Sequence, residues 1–304
     1  MTATANDSDR ETSGASLLRS AATMTYDPVV DIDWDAPLDP DLLYVPEHRS
    51  TLSGTPMWES MSHQQRMDLT RHELASIACM GIWFETILMQ MLVRRAYDRD
   101  PRTTNVQFTY TEIGDECRHS VMFARLVDKL DAPHYKPVSA LHGGGRALKT
   151  ISNGPMCFAG ALFVEEILDQ LQREAMVDES VQPLVRAVSR VHVVEEARHM
   201  RFAREEAAAE FGRQGVVAKE WSKLIVGVTA FLASTQLVHP HVYTNAGLDA
   251  HEARRQAASN PQWQATRRWA ARRVRASLEE IDMITGPGRW LWRRAGLLED
   301  GSAR

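Results

Sequence analysis

The sequence repeats one arrangement of glutamates and histidines at a single, constant offset. In the first copy Glu116 follows Glu85 after 31 positions, and in the second Glu196 follows Glu165 after 31 positions. Each second glutamate begins a Glu-x-x-His motif, completed by His119 or His199. One such motif means little, because short motifs occur by chance. Two copies with equal internal spacing predict a repeated helical hairpin.

The residues around the two motifs also match. The first copy reads Asp115-Glu116-Cys117-Arg118-His119, and the second reads Glu195-Glu196-Ala197-Arg198-His199. Residues three apart lie on the same face of a helix, so the glutamate and histidine of each motif can bind one ion together. We expect the acids just before the motifs to accept the other ring N–H of a ligating histidine. The two arginines then fit salt bridges outside the ligand shell.

Four carboxylates and two imidazoles suit a pair of redox-active metal ions. The carboxylates neutralise and bridge divalent iron or manganese, and open coordination positions can admit O₂. For the third ligand helix, Glu165 competes with its neighbour Glu166, and the equal spacing of the two copies favours Glu165. The predicted metal ligands so far are Glu85, Glu116, His119, Glu165, Glu196 and His199.

The two copies differ at one position that bears on the metal site. Glu112 in the first copy corresponds to His192 in the second, and His192 lies one helical turn before Glu196. His192 is therefore predicted as a seventh ligand, with a core histidine as the alternative. Glu112 fits either an acceptor outside the ligands or a surface acid, and the sequence does not decide between them.

Apolar periodicity predicts an all-α protein in which a four-helix bundle is followed by additional C-terminal helices. We expect an extended, partly disordered arm over 1–56, a helical domain over 57–298 and a tail over 299–304. The predicted bundle helices cover 61–97, 106–130, 155–176 and 179–211, with a long connection over 134–154. Further helices are predicted over 216–238 and 261–284, with a short helix near residue 250 between them.

The matching residues resemble those of the para-aminobenzoate (arylamine) N-oxygenase family of ferritin-like non-haem diiron enzymes. The resemblance covers about residues 57–211, and its specific mark is the string His192-x-x-x-Glu196-x-x-His199. It implies a ferritin-like fold, two iron ions, external electrons, and oxygen insertion into an aryl amine towards hydroxylamine, nitroso and nitro products. Hydroxylation or desaturation of a carbon substrate, or a non-catalytic metal-binding role, are the alternatives.

Small and apolar residues next to Glu85 and Glu165 predict an apolar cavity beside the metals, although plain core packing is the alternative. The set comprises Gly81, Ile82, Leu88 and Met89 on the first helix and Ala161, Leu162 and Leu168 on the third. No arginine lies one turn from Glu85 to bind a substrate carboxylate. The pattern therefore does not specify para-aminobenzoate itself.

Composition excludes several other classes of protein. A formal net charge of −5 argues against nucleic acid as a partner. The three cysteines lack metal-type spacing, and no signal peptide or 18-residue apolar run is visible, so we expect a cytoplasmic protein without a membrane span. No nucleotide fingerprint occurs, which predicts an external electron donor protein. The sequence does not decide between a monomer and a homodimer.

Clustered arginines and tryptophans near the C-terminus have two interpretations. They fit a docking surface for an acidic donor or carrier, or a solvated helix face whose arginine stems cover the tryptophans.

Overall fold

The computed structural model describes residues 5–298, with side chains from residue 8 onward. The described residues form helices joined by turns and irregular segments, and no strand occurs among them, which confirms the all-α prediction. The helices are α1 (Ala5–Thr23), α2 (Pro56–Ser60), α3 (His63–Tyr97), α4 (Thr104–Lys129), α5 (Ser139–Ile151), α6 (Pro155–Ala175), α7 (Pro183–Gly212), α8 (Val216–Thr235), α9 (Val242–Asn245), α10 (Ala250–Ser259), α11 (Pro261–Ala270), α12 (Arg272–Glu280) and α13 (Gly286–Arg294).

Two hairpins, α3–α4 and α6–α7, pack against each other as the central bundle. Local sequence fixes where their helices begin. Ser62 and Gln65 form a capping box at the start of α3, since each side chain bonds the backbone N–H of the other. Thr103 caps α4, and Pro155 occupies the first turn of α6, where its missing N–H costs nothing. These starts set the register that carries the repeated acids and histidines inward.

The first helix lies in the segment for which an extended arm was expected, and that part of the prediction is wrong. All prolines of this segment lie at or beyond Pro28, so none interrupts α1. The helix packs on α4 and α7, and its Leu17 and Ala21 are buried there. Arg10 also forms a salt bridge with the buried Glu206. Tertiary contacts rather than an apolar periodicity therefore stabilise α1.

The connection over 134–154 also contains a helix, α5, which the sequence did not predict. Its three glycines disfavour a helix by roughly 1 kcal/mol each. Packing outweighs this cost, because Gly145 lies directly against α3, where an added Cβ would come within 2.4 Å of the Trp83 ring. The predicted tail over 299–304 lies outside the described residues.

The C-terminal helices cover the bundle. The predicted helix over 261–284 is two helices, α11 and α12, separated at Ala271. Trp292 of α13 is fully buried against Phe163 of α6, with ring centroids 5.3 Å apart, whereas Trp290 remains 64% exposed. Trp292 is therefore part of the core packing, whereas Arg272, Arg273, Arg293 and Arg294 remain exposed.

One helix, α3, is long and apolar enough to cross a membrane by length and composition alone. Half of its most apolar stretch is buried inside the protein, as in the central helix of a bundle. The expectation that no segment spans a membrane stays a prediction.

Candidate metal centre

The four bundle helices bring the seven predicted ligands together in the interior. Helix α3 supplies Glu85, α4 supplies Glu116 and His119, α6 supplies Glu165, and α7 supplies His192, Glu196 and His199. None of them exposes more than 4% of its surface. They form three overlapping groups in which potential ligand atoms lie within 4.8 Å of one another. The structure thus assembles the whole predicted set, whose role as ligands stays a prediction.

The two Glu-x-x-His motifs meet at the centre of the cluster. His119 Nδ1 lies 3.3 Å from Glu116 Oε2 and 3.2 Å from Glu196 Oε1. His199 Nδ1 lies 3.0 Å from Glu196 Oε1 and 3.1 Å from Glu116 Oε1. Each carboxylate therefore faces both imidazoles, which is the arrangement expected of two carboxylates that bridge a pair of ions.

The outer nitrogens of these imidazoles are held by acids of the opposite hairpin. His119 Nε2 donates to Glu195 Oε2 at 2.9 Å, and His199 Nε2 donates to Asp115 Oδ2 at 3.0 Å. Both acids were expected to accept from a ligating histidine, and the structure shows that the pairing is crossed. A proton held at Nε2 leaves Nδ1 free to face the cluster, so the crossed pairs orient both rings for binding a cation.

Arginines neutralise the two outer acids, as expected from the sequence. Arg118 forms a salt bridge with Asp115, and Arg198 lies 3.3 Å from Asp115 and 3.8 Å from Glu195. Sequence reasoning missed the contribution of the N-terminal segment. The backbone N–H of Tyr26 donates to Glu195 at 3.0 Å, and Arg198 donates to the carbonyl of Met24 at 2.8 Å. No motif marks these backbone contacts.

His192 lies on the ligand face beside the two central motifs. Its Nε2 is 3.7 Å from Glu85 Oε1 and 3.8 Å from Glu196 Oε1, which is too long for hydrogen bonds. Neither of its ring nitrogens has a hydrogen-bond partner, although the residue is fully buried. The ring is held instead by Phe123, whose centroid lies 4.9 Å away. This buried imidazole has no protein partner, and a bound cation could fill that role.

The remaining carboxylates show the same shortage of partners. One oxygen each of Glu85, Glu116, Glu165 and Glu196 is buried without a hydrogen bond. Ser120 donates to the other oxygen of Glu85 at 2.7 Å. Glu166, the rival of Glu165, pairs instead with Arg204 at 2.6 Å. The equal-spacing argument therefore selected the glutamate that joins the cluster.

The electrostatics of the cluster fit a pair of divalent cations. Burial raises the pKa of Glu165 well above its ordinary value, and the neighbouring Glu196, Glu116 and Glu85 raise it further. Burial also raises the pKa of Glu85. Four buried carboxylates repel one another unless positive charge compensates them, and two divalent ions would balance their charges. The orphaned oxygens and the free imidazole thus fit a dimetal group.

Glu112 proves to be buried, so the surface-acid alternative is wrong. It exposes 2% of its surface, one of its oxygens has no partner, and burial raises its pKa well above the ordinary value. It does not belong to any of the groups that could hold a metal ion among the described residues.

Two apolar cavities flank the cluster. The larger, with an empty volume of about 820 Å³ that is partly open to solvent, lies between α3, α4, α6 and α7, and Gly81, Phe123 and Leu168 form its inner end. The smaller, about 580 Å³, lies beneath α5 and is lined by Leu88, Ala161 and Glu165 itself. Four of the residues expected beside a cavity, Gly81, Leu88, Ala161 and Leu168, therefore line one.

The helical bundle and its buried cluster define the class of this protein, which is a ferritin-like protein with a site that could bind two metals. A solved variant of an R2-like ligand-binding oxidase with an aerobically reconstituted Mn/Fe cofactor shares the fold. The two are 13% identical, and the match covers 90% of this chain and 93% of that chain with a TM-score of 0.52.

The sequence profile of the P-aminobenzoate N-oxygenase AurF family matches residues 7–282. The chain belongs to this family, which confirms the resemblance found in the sequence and makes the protein an oxidoreductase of the diiron oxidase type. It is also similar to uncharacterized proteins of Mycobacterium tuberculosis and Mycobacterium bovis. Each is 25% identical over 240 residues, which are 74% of this chain and 68% of the relative.

Proposed function

We propose that this protein is a diiron oxygenase that inserts oxygen into the nitrogen of an aryl amine. The observation that carries the proposal is the buried seven-residue cluster with a third, unpartnered imidazole at His192. Membership of the N-oxygenase family supports the choice of nitrogen as the reacting atom. The expected cofactor is two iron ions, with manganese as the alternative, and the co-substrate is O₂.

The chain holds the metals with the seven residues of the cluster. Once bound, the pair of ions would supply electrons, Lewis acidity and the site for O₂. The crossed contacts to Asp115 and Glu195 keep His119 and His199 in orientations that a cation can use. The apolar walls of the two cavities exclude water from the cluster, which limits loss of oxidising equivalents to side reactions.

The first oxygenation needs a source of electrons. Conversion of an amine and O₂ to a hydroxylamine and water consumes two electrons and two protons, and the later steps to nitroso and nitro products continue the oxidation. We propose that a separate electron donor protein supplies the reducing equivalents. A cytoplasmic location and the absence of nucleic acid among the partners remain parts of this proposal.

The reduced, iron-loaded protein should be mixed with ¹⁸O₂ and a panel of aryl amines, and products identified by mass spectrometry. We expect labelled hydroxylamine, nitroso or nitro compounds. Absence of a labelled N–O product, together with a labelled alcohol or a new double bond from an alkyl substrate, would replace N-oxygenation by carbon oxidation. Metal binding without oxygen consumption or product would instead indicate a metal-binding role without catalysis.

A further inference from the structure

The larger cavity is a cleft lined by successive turns of α3 from Glu73 to Gly81, one turn before Glu85 of the cluster. Glu73, Ile77, Gly81 and Glu85 succeed one another at four-residue intervals, so they form a row that winds slowly around the helix. The first three line the cleft, and the fourth is a member of the cluster. At 1.5 Å per residue the distance from Glu73 to Glu85 is about 18 Å along the axis. A molecule in the cleft can therefore be long.

The inner end of this cleft reaches the cluster through one layer of side chains. Phe123 lines the cleft and contacts His192, with ring centroids 4.9 Å apart and the ring planes tilted by 46°. Gly81 lies one turn before Glu85, and its missing side chain leaves room against Phe123 and Leu168. The middle walls are aliphatic and include Leu74, Leu126, Leu171 and Val188. The cleft thus suits an apolar body with its reactive end at Phe123.

The outer end contains a carboxylate with an unused oxygen. Glu73 exposes 2% of its surface and lines the cleft. Its Oε1 accepts from the backbone N–H of Thr51 at 2.9 Å and from the Thr51 hydroxyl at 2.5 Å. Tyr243 in turn donates to that hydroxyl at 3.0 Å. The Oε2 atom has no partner with hydrogen-bond geometry, and the Ser50 hydroxyl, which is close enough to lower the pKa of Glu73, has none either.

Burying this carboxylate costs free energy of folding that its hydrogen bonds only partly offset. Burial raises the pKa of Glu73 to about 7, because the charged form has lost water without gaining a cation. Glu73 is therefore suited to bind a ligand, because Thr51 holds Oε1 in place while Oε2 can accept a hydrogen bond from another molecule.

The cleft offers no comparable group for a carboxylate ligand. Among the described residues that line it, the basic side chain is Arg49, and Arg49 already has partners. Its guanidinium donates to Glu174 at 2.7 Å and to Thr266 at 3.2 Å, and it stacks 3.7 Å from the centroid of Trp269. The negative tail of para-aminobenzoate would find no free cation there.

We propose that Glu73 binds the far end of the substrate by accepting a hydrogen bond, so the cleft takes elongated apolar amines that carry a second amino group rather than a carboxylate. The position of the reacting amine rests on the proposed function. The recognition of the far end rests on Glu73 alone.

Calorimetric titration of the full-length protein at pH 8 tests this inference without any turnover. The probes are three 4-aminobiphenyls that carry aminomethyl, hydrogen or carboxylate at the 4′ position. We expect the aminomethyl compound to bind about 10-fold or more tightly than the carboxylate, since hydrogen bonds to charged groups contribute roughly 1.5–3 kcal/mol. Glu73→Gln should abolish this preference and leave the hydrogen compound unchanged. Glu59→Gln, at an exposed position, is the matched control.

Circular dichroism and cooperative unfolding should first show that Glu73→Gln is folded. A preference that survives in this variant, an equal or tighter affinity for the carboxylate, or no saturable binding of any of the three probes would overturn the inference. Binding of the probes requires neither O₂ nor an N–O product. The labelling experiment and the titration can therefore fail independently of each other.

Discussion

The two hairpins of the bundle carry the same ligand plan on helices of different length. Helix α3 begins at His63, about six turns before Glu85, whereas α6 begins at Pro155, about three turns before Glu165. The additional turns of α3, about 18 Å in all, form a wall of the larger cleft and carry Glu73. The counterpart of Glu73 in the second copy is Asn153, which lies outside α6. The repeat thus keeps the ligands in both halves, whereas a cavity-lining acid at this position occurs in the first half alone.

The hairpins also differ next to the ligands. Ser120 donates a hydrogen bond to Glu85, but the equivalent position in the second copy is Met200, whose side chain cannot donate such a bond to Glu165. Glu112 in one half corresponds to His192 in the other. Two metal ions in this cluster would therefore have unlike surroundings, with one carboxylate held by the protein and the other free to adjust.

The largest expected effect follows from removing a ligand. After anaerobic iron loading, elemental analysis should find about two ions per chain, and Glu165→Ala should lower this to about one or fewer. Glu166→Ala is the matched control. Because Glu166 pairs with Arg204 outside the cluster, this variant should keep nearly all of the iron. A maximum near one ion in the unaltered protein, with Glu165→Ala unchanged, would contradict the dimetal site.

The unlike pair His192 and Glu112 gives the next effect. His192→Ala should keep the fold and most of the iron but alter the spectrum of the O₂-exposed protein, because an imidazole is lost from one metal position. Glu112→Gln should leave the iron content unchanged, since Glu112 lies in none of the groups that could hold a metal ion among the described residues. If both variants gave the same spectrum and turnover as the unaltered protein, His192 would be a core residue.

Much of the fold follows from the sequence, because the bundle helices bury continuous apolar faces and begin at recognisable caps. The cluster was predictable for a different reason. Metal ligands on helices must share a face, so the Glu-x-x-His spacing and the equal interval between the paired glutamates survive in the sequence. Glu165 could be chosen over Glu166 on spacing alone, and the structure places it in the cluster.

The features that the sequence did not reveal depend on contacts between distant segments. Helix α5 contains three consecutive glycines and forms because Gly145 fits against Trp83. Helix α1 forms against α4 and α7. The N–H of Tyr26 donates to Glu195 and the carbonyl of Met24 accepts from Arg198, and these backbone atoms carry no residue-specific signal. Glu73 was missed because a lone helical glutamate is usually a solvated charge.

A smaller effect is expected from the pH dependence of stability. The pKa of Glu73 rises from 4.5 to about 7 on folding, so its favourable neutral state is lost as the pH rises through 7. Between pH 5 and pH 8 the unaltered protein should lose about 2 to 3 kcal/mol of its free energy of unfolding through this group. Glu73→Gln should not show this loss. Urea unfolding at both pH values measures this, with Glu59→Gln as the control. An equal pH dependence in all three proteins would show that Glu73 is not the group responsible.

The smallest effect should come from Ser120. Ser120→Ala removes the hydrogen bond to Glu85, which contributes about 1 kcal/mol, so chelator competition should show a metal affinity weakened roughly 3- to 10-fold. Met200→Leu, at the equivalent place in the other hairpin, should change it less than about twofold, because no bond to Glu165 is lost. Equal losses in both variants would mean that the halves do not differ in how they hold their first carboxylate.

The crossed pairing of His119 with Glu195 and of His199 with Asp115 makes each hairpin depend on the other. A hairpin synthesised alone would contain a glutamate and a histidine at the right spacing, but not the acid that aims the ring. If the cluster binds metal ions, strong binding would therefore follow the docking of the two hairpins. A chain that is still being synthesised would bind metal ions weakly, and only the completed bundle would bind them strongly.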